Sequence, residues 1–221
     1  MSIQLDFLAV LDYWPLLAKG VLITSILTAV SAALGLAVGI ACAWVRCDGP
    51  APLQWVVGAY VELIRNSPFI VQLYFVFFGL PSLGLKLSPQ AASIFAMVLN
   101  LGAYTTEIVR AGLDTTPQGQ IEAAQSLSLD RWQIFTRVVL PPALKSVWPA
   151  TVSQIIIVML GSAVCSQIST EELSYAAGLI QSRNFRAFEA FIVATLIYFL
   201  LAMALRKLLN WMGSRFLFEG R

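Results

Sequence analysis

The chain has 221 residues, of which 58% are apolar and only 12% carry a charge, with a formal net charge of +2 and no histidine. Together with a mean hydropathy of +0.78, this composition excludes a disordered protein, a nucleic-acid-binding protein and an ordinary soluble enzyme. The lack of histidine excludes His-based catalytic triads and metalloprotease motifs. We therefore predict an integral membrane protein, in which Cys42, Cys47 and Cys165 are small apolar fillers.

The N-terminal segment, residues 1–19, does not resemble a signal peptide. It contains Asp6 and Asp12, and its first basic residue is Lys19, whereas a signal peptide begins with basic residues. We predict that the apolar stretch from Ile3 to Leu17 is an interfacial helix on the extracytoplasmic side.

Five charge-free stretches approach or exceed the roughly 20 residues that cross a bilayer. They are Gly20–Val45, Ser67–Leu85, Leu87–Thr106, Ser146–Thr170 and Ala190–Leu205. Spanning segments outside a barrel must be helical, because lipid cannot satisfy backbone amides. We predict an all-α membrane protein with five transmembrane helices in a domain of residues 20–212, followed by a cytoplasmic tail, 213–221.

The boundaries of these spans are marked by capping residues and prolines. Ser67-Pro68, Ser88-Pro89 and Thr116-Pro117 each pair a capping side chain with a proline, and no proline interrupts the middle of a predicted span. The apolar stretch from Ala51 to Ile64 is predicted to be an interfacial helix that leads into the second span.

Small residues recur at four-residue spacing in the first span. Ser31, Gly35 and Gly39 lie on one helix face, a pattern that permits close helix approach. We predict that they pack within the subunit rather than at a dimer seam.

The distribution of Lys and Arg predicts an extracytoplasmic N-terminus and a cytoplasmic C-terminus. The inner side would hold Arg46, Arg65, Arg110, Arg131, Arg137, Lys145, Arg206, Lys207, Arg215 and Arg221. The outer side would hold Lys19, Lys86, Arg183 and Arg186.

A long hydrophilic loop, residues 111–145 within the interval 107–145, separates the third and fourth spans. Thr116 and Pro117 predict the start of a short helix, on which Ala123, Ala124 and Leu127 share a small apolar face. This face either docks on another protein or folds back on the chain's own bundle, and the pattern alone leaves both interpretations open.

The loop carries a spaced signature. Glu122-Ala123-Ala124 is followed by Ser128, Val138 and Leu140-Pro141, which resembles the EAA signature of ABC importer permeases. The family has glycine at the position of Ser128, and we expect weakened rather than lost geometry there.

Further segments resemble the polar amino acid branch of that family. They are Gly119-Gln120, residues 60–68 (YVELIRNSP), residues 103–110 (AYTTEIVR) and residues 185–189 (FRAFE). The resemblance runs from about Gly20 to Trp211.

The resemblance implies a type I ABC importer permease in the bacterial inner membrane, without catalytic or metal-binding residues. Its implied partners are two cytoplasmic ATPase subunits that carry ATP and Mg, a second permease subunit, an extracytoplasmic solute-binding protein, membrane lipid and a small-molecule substrate, but no nucleic acid. The residues implied in ATPase coupling are Gly119, Gln120, Glu122, Ala123, Ala124, Leu127, Ser128, Leu140 and Pro141.

A zwitterionic substrate requires polar groups within the spans. The candidates are Glu62, Gln72, Asn100, Thr105, Gln154, Ser162 and Gln167. Helix–helix hydrogen bonding is the alternative role for most of them. The pairs Glu62/Arg65 and Glu107/Arg110 are either a gate or a link to the loop, or locally satisfied ion pairs.

The fourth span departs from the amino acid branch, which has Lys-Asp where this chain has Leu160-Gly161. Either a paralogous partner supplies the substrate site in a heterodimer, or the substrate differs. Arg183 and Arg186 are then a possible outer entrance for a carboxylate, or they belong to a docking surface for the binding protein.

Two other classes compete with a permease. An ion-driven secondary carrier would need acidic residues at midspan and an internal repeat, and a non-transporting accessory subunit is disfavoured by the coupling loop alone.

Overall fold

The structure is a computed structural model that describes residues 5–215, and this part of the chain is helical without a β-strand. Its helices are α1 (Leu8–Leu11), α2 (Trp14–Asp48), α3 (Ala51–Arg65), α4 (Phe69–Tyr74), α5 (Pro89–Leu113), α6 (Gln118–Ser126), α7 (Arg131–Gln133), α8 (Leu140–Gly161), α9 (Leu173–Asn184) and α10 (Ala187–Gly213). The predicted all-α class is confirmed. Ile3, Arg221 and most of the predicted tail lie outside the described residues.

Four of the predicted spans correspond to long apolar helices. Among residues 5–215, Trp14–Asp48, Pro89–Leu113, Arg131–Ile168 and Ala187–Gly213 are each long and apolar enough to cross a membrane. The first begins six residues before Gly20, after the single turn of α1 in the predicted interfacial segment. The fifth extends beyond 190–205 at both ends.

The predicted second span is the second half of a bent pair. Ala51–Arg65 and Phe69–Leu83 meet at 113° and form one broken span or a re-entrant segment. The second half continues from α4 through a π turn and a 3-10 turn. At 1.5 Å per residue it spans roughly 22 Å, short of the ~30 Å hydrocarbon core.

Of the three predicted caps, one is confirmed and one is wrong. Ser88 Oγ accepts from the Ala91 amide at 3.2 Å, as predicted. The Ser67 hydroxyl donates back to the Leu63 carbonyl at 2.7 Å, and its capping role stays a prediction. Thr116 makes no capping bond, because Pro117 itself takes the N-cap position in an extended conformation.

The fourth span contains a proline in its interior, contrary to prediction. Pro149 lies within α8, where its missing N–H removes the donor for the carbonyl four residues earlier. The helical run also starts well before Ser146, since α7 continues through a π turn (Ile134–Val139) into α8. The connection after α5 is therefore confined to residues 114–130.

The chain divides into two compact units. The first contains the described residues up to Ala32, Pro68–Met97 and Ile156–Leu205. Its apolar core comprises Val10, Leu17, Leu173, Ala176, Ala177, Ile180, Ala190 and Ala194. The second contains Ala33–Ser67, Val98–Ile155 and the described residues from Arg206. Its core comprises Ala43, Val109, Leu113, Ala124, Ile134, Phe135, Val139 and Ala143.

Glycines in the second unit set the distance between α2 and α5. A Cβ at Gly39 would lie 2.4 Å from Thr105 Cβ, and one at Gly35 would lie 2.9 Å from Leu101 Cβ. The glycines of the small-residue pattern thus pack within the chain, which confirms the intrasubunit interpretation.

Candidate functional site

The helix α6 carries the predicted coupling residues Gly119, Gln120, Glu122, Ala123 and Ala124. All of them are exposed except Ala124, which is 4% exposed. Ala124 is buried in the core of the second unit with Ile134, Phe135 and Val139. The amphipathic pattern therefore anchors the helix through this alanine.

The predicted shared face of Ala123, Ala124 and Leu127 is wrong. Ala124 points inward and Ile121 packs beside it, whereas Ala123 and Leu127 are exposed, Leu127 to 75%. The physical reason is that residues three apart on a short helix straddle the boundary between its buried and its exposed side. The fold-back interpretation is therefore confirmed for Ala124, whereas docking on another protein stays a prediction for the exposed face.

The C-terminal end of α6 explains the glycine of the family pattern. Ser128 has φ = 58°, in the left-handed region. The Leu129 amide donates to the Ala124 carbonyl at 3.3 Å and the Ser128 amide donates to the Gln125 carbonyl at 2.9 Å. These bonds form a Schellman motif, whose left-handed position favours glycine. Serine keeps the geometry, as expected.

The next helix starts at once and brings the rest of the signature to the same core. Asp130 and Gln133 form a capping box, with the Gln133 amide 2.8 Å from Asp130 Oδ1. Leu140 then packs against the cluster that contains Ala124, while Pro141 is exposed on the first turn of α8. Ala124 and Leu140 thus fix α6 to α8.

An exposed apolar surface lies around this turn. Trp132 is largely exposed, and its ring is 5.4 Å from Trp44 and 6.1 Å from Phe135. Arg131 pairs with Asp48 at 3.8 Å. Leu127 and Trp132 are both exposed, and ring contacts hold Trp132 in place. Such apolar side chains suit a protein partner better than water.

The predicted pathway residues fall into different units. Gln72, Ser162 and Gln167 belong to the first, and Glu62, Asn100, Thr105 and Gln154 belong to the second.

Several of them have local roles. Ser162 donates to the Met159 carbonyl at 2.6 Å, and Thr105 packs on Gly39. Glu62 accepts from the Asn66 amide group at 2.9 Å, and the predicted Glu62–Arg65 pair is not formed among the described residues. Gln72 is buried, and Asn100 and Gln154 are partly buried.

Gln167 lines a cavity of about 600 Å³ in the first unit. Ser166, Ser174 and Tyr175 provide its hydroxyl groups, and Ile70 and Phe191 are among its apolar walls. None of its described lining residues is charged. This volume and mixed lining are typical of small-molecule sites.

The cavity depends on α9, a helix that our sequence analysis did not predict. Its buried residues Leu173, Ala176, Ala177 and Ile180 follow helical spacing, and this periodicity was the missed signal.

The start of α9 is held by a fully buried carboxylate. Glu172 caps the helix by accepting from the Tyr175 amide at 2.9 Å, and it also accepts from the Tyr198 hydroxyl. Burial raises the pKa of the Glu172 carboxyl. Glu172 thereby positions Tyr175 at the cavity wall.

Two further contacts hold the segment around the cavity. Thr24 Oγ1 accepts from the Leu173 amide at 3.3 Å, and Ser93 and Thr170 share a hydrogen bond of 2.8 Å.

The predicted entrance arginines differ in their surroundings. Arg183 is exposed in the last turn of α9. Arg186 lies 3.0 Å from Glu189 and 3.7 Å from Asp6, so its charge is offset by two carboxylates of the same unit.

Comparisons with known proteins bear on both regions. Residues 35–217 match the family model described as "Binding-protein-dependent transport system inner membrane component". The chain is 32% identical over 203 residues to the arginine transport system permease protein ArtQ of Bacillus subtilis (strain 168), covering 91% of this chain and 93% of the relative. It is also 32% identical over 195 residues to the L-cystine transport system permease protein TcyB of the same organism, covering 88% and 83%.

A solved structure shows the same fold. The crystal structure of an amino acid ABC transporter with histidines superposes with a TM-score of 0.86 at 33% identity, over 96% of this chain and 100% of that chain. The chain therefore belongs to the family of binding-protein-dependent transport system inner membrane components, as a permease subunit of the amino acid ABC transporter type.

Proposed function

We propose that this permease imports a polar amino acid, and that one of two cytoplasmic ATPase subunits docks on α6 and on the exposed turn after it. The other ATPase subunit docks on the corresponding loop of the second permease subunit. The observation that carries this proposal is the pairing of buried Ala124 with exposed Leu127 on one short helix. The buried residue fixes α6 to the second unit, so that a partner that pushes on Leu127 moves the helix and its unit together.

The partners follow from the same mechanism. ATP and Mg bind to the ATPase subunits, this chain is not an enzyme, and an extracytoplasmic binding protein delivers the substrate. The N-terminus is extracytoplasmic and the C-terminus cytoplasmic, in accord with the Lys/Arg distribution.

The coupling role is tested by Leu127→Asp. A charge at this exposed contact should weaken ATPase binding by at least about 2 kcal/mol, or roughly thirtyfold, without unfolding the chain. The measurements are ATP-dependent uptake in membrane vesicles and recovery of ATPase with the tagged permease. Gln118→Asp, an exposed change on the same helix, is the matched control. Normal uptake by Leu127→Asp would refute the coupling role.

The substrate class follows from the cavity around Gln167. Its uncharged lining favours an amino acid whose side chain is itself uncharged, since a charged side chain would be desolvated there without a partner. The segment 163–167, which supplies several of its lining residues, begins two residues after Leu160-Gly161, where the amino acid branch has Lys-Asp.

Gln167→Ala tests this assignment. Loss of one hydrogen bond to a charged substrate group should raise the KM for uptake about tenfold, or ~1.4 kcal/mol. Gln181→Ala, on α9 but not among the cavity's described lining residues, should leave KM unchanged. Glutamine should compete for uptake better than arginine. Equal KM values for both variants would refute this cavity as the substrate site.

A second permease subunit completes the pathway, and we propose that it is a paralogue that supplies the missing charges. Purification of the tagged chain from its native membrane should recover a different permease. An active complex with two copies of this chain and no other permease would refute the heterodimer.

A further inference from the structure

Three arginines converge on one carboxylate in the second unit. Glu107 Oε2 lies 3.1 Å from Arg110 Nη2 and 3.7 Å from Arg65 Nη1, and Glu107 Oε1 lies 3.9 Å from Arg46 Nη1. These residues come from α2, α3 and α5. The predicted local pair Glu107/Arg110 is thus confirmed, within a larger cluster.

The cluster has a surplus of positive charge. Among residues 5–215, the other carboxylate that forms an ion pair with these three arginines is Asp114, 3.6 Å from Arg110. Three guanidinium groups thus face two carboxylates, and Asp114 is largely exposed. The arginine side chains are 27–40% exposed, so their outward N–H groups are accessible to an external acceptor.

Two contacts hold the guanidinium groups in place. Arg65 lies over the Tyr104 ring at 5.6 Å from its centroid. Arg46 crosses α3 at Gly58, where a Cβ would come within 3.3 Å of Nη1. Fixed, planar guanidinium groups bind phosphate oxygens with little loss of entropy.

The helix beside this cluster presents an apolar face. On α3, Val57, Val61 and Ile64 are buried, whereas Trp55 and Leu63 are 75% and 70% exposed and Val56 is also exposed. A helix of this kind at the end of a span lies in the membrane interface, with its apolar side among acyl chains.

We propose that the Arg46–Arg65–Arg110 cluster binds the phosphate headgroup of an anionic phospholipid, whose acyl chains cover the exposed face of α3. The positive surplus complements the headgroup, and the apolar face favours a lipid over free phosphate. Basic pockets between transmembrane helices bind such headgroups, and each basic residue contributes about 1 kcal/mol.

The test compares two double variants that each remove two positive charges. Arg46→Gln/Arg65→Gln alters the cluster and leaves the Glu107–Arg110 pair in place. Arg206→Gln/Lys207→Gln removes two exposed charges at the end of α10. The transporter complex is reconstituted with phosphatidylglycerol in phosphatidylcholine, purified and examined by native mass spectrometry for retained lipid.

We expect the cluster variant to bind phosphatidylglycerol roughly fivefold more weakly for each arginine removed, while the control binds as the wild type does. Inorganic phosphate should not displace the lipid. Equal retention by both double variants would overturn the proposal, and so would displacement by phosphate. Cross-linking of a Trp55→Cys variant to another protein of the complex, without retained lipid, would also overturn it, because a protein would then cover α3.

Arg65→Lys is a third variant, in which the positive charge and the fold are preserved. Lysine keeps the attraction but loses the bidentate geometry, so lipid retention should fall only slightly. A loss as large as that of the double glutamine variant would show that packing on Tyr104, rather than charge, controls the result, and would contradict the proposal.

Discussion

The coupling region around α6 and the cavity region around α9 are built in similar ways but differ in how their residues are distributed along the chain. Each has a serine in the left-handed conformation at a helix end, Ser128 at φ = 58° and Ser169 at φ = 63°. The surface of the coupling region and its anchor Ala124 come from one segment, residues 118–143, although Ala43, Val109 and Leu113 complete the core beneath them. The cavity is lined by residues from segments 163–167 and 174–179 together with Ile70 and Phe191.

This difference explains why the coupling region could be predicted from the sequence and the cavity region could not. A partner protein contacts a compact surface, which one continuous segment provides together with its own anchor, Ala124. A cavity needs walls on several sides, and these come from separate helices. The comparison predicts that substitutions in the coupling region act locally and that those near the cavity act through helix packing.

The largest effect is expected for Ala124→Asp. A carboxylate at this buried position is left without a partner among Ile134, Phe135 and Val139, and should cost about 4 kcal/mol or more. The connection 114–130 should become sensitive to limited proteolysis. Ala123→Asp, one residue away and exposed, should stay resistant. Equal proteolysis of the two variants would mean that α6 is not anchored through this face.

An intermediate effect is expected at the contact between α2 and α9. A Cβ at Gly20 would lie 2.8 Å from Leu173 Cα, so Gly20→Val should destabilise the protein by about 1–3 kcal/mol. Gly178, within α9, has open space at its Cβ position, and Gly178→Ala should stabilise the helix by about 0.5–1 kcal/mol. Thermal unfolding in detergent measures both. If Gly20→Val and Gly178→Ala shifted the midpoint of thermal unfolding in the same direction, the difference in packing at these two glycines would be contradicted.

The smallest effect is expected for Ser128→Gly. Glycine removes the steric penalty of the left-handed conformation and should stabilise the end of α6 by about 0.5–1 kcal/mol. Amide hydrogen exchange over α6 should slow by a few fold. Ser126→Gly, in the last helical residue, should speed exchange instead. Faster exchange in Ser128→Gly would show that the Schellman geometry does not limit α6.

The sequence predicted the helical class, the long apolar spans and α6, because each depends on local composition or spacing. It did not separate Ala123 from Ala124, which differ only in the side of the helix they face. It also missed α9. The buried residues of this helix are mostly small, so the mean hydropathy of the segment resembles that of a polar loop. The predicted pair of Arg65 with Glu62 is wrong, because the Arg65 guanidinium lies 3.7 Å from the Glu107 carboxylate of α5 instead.

Some properties of this protein are therefore contained in its sequence alone. A chain with 58% apolar residues needs a bilayer, and the spacing from Glu122 to Pro141 identifies its permease family. Other properties were decided by tertiary structure: the anchoring of α6 through Ala124, the uncharged cavity beside α9 and the arginine cluster at Glu107. Each of these depends on residues from separate helices, and their distances are set by packing, which local spacing along the chain does not specify.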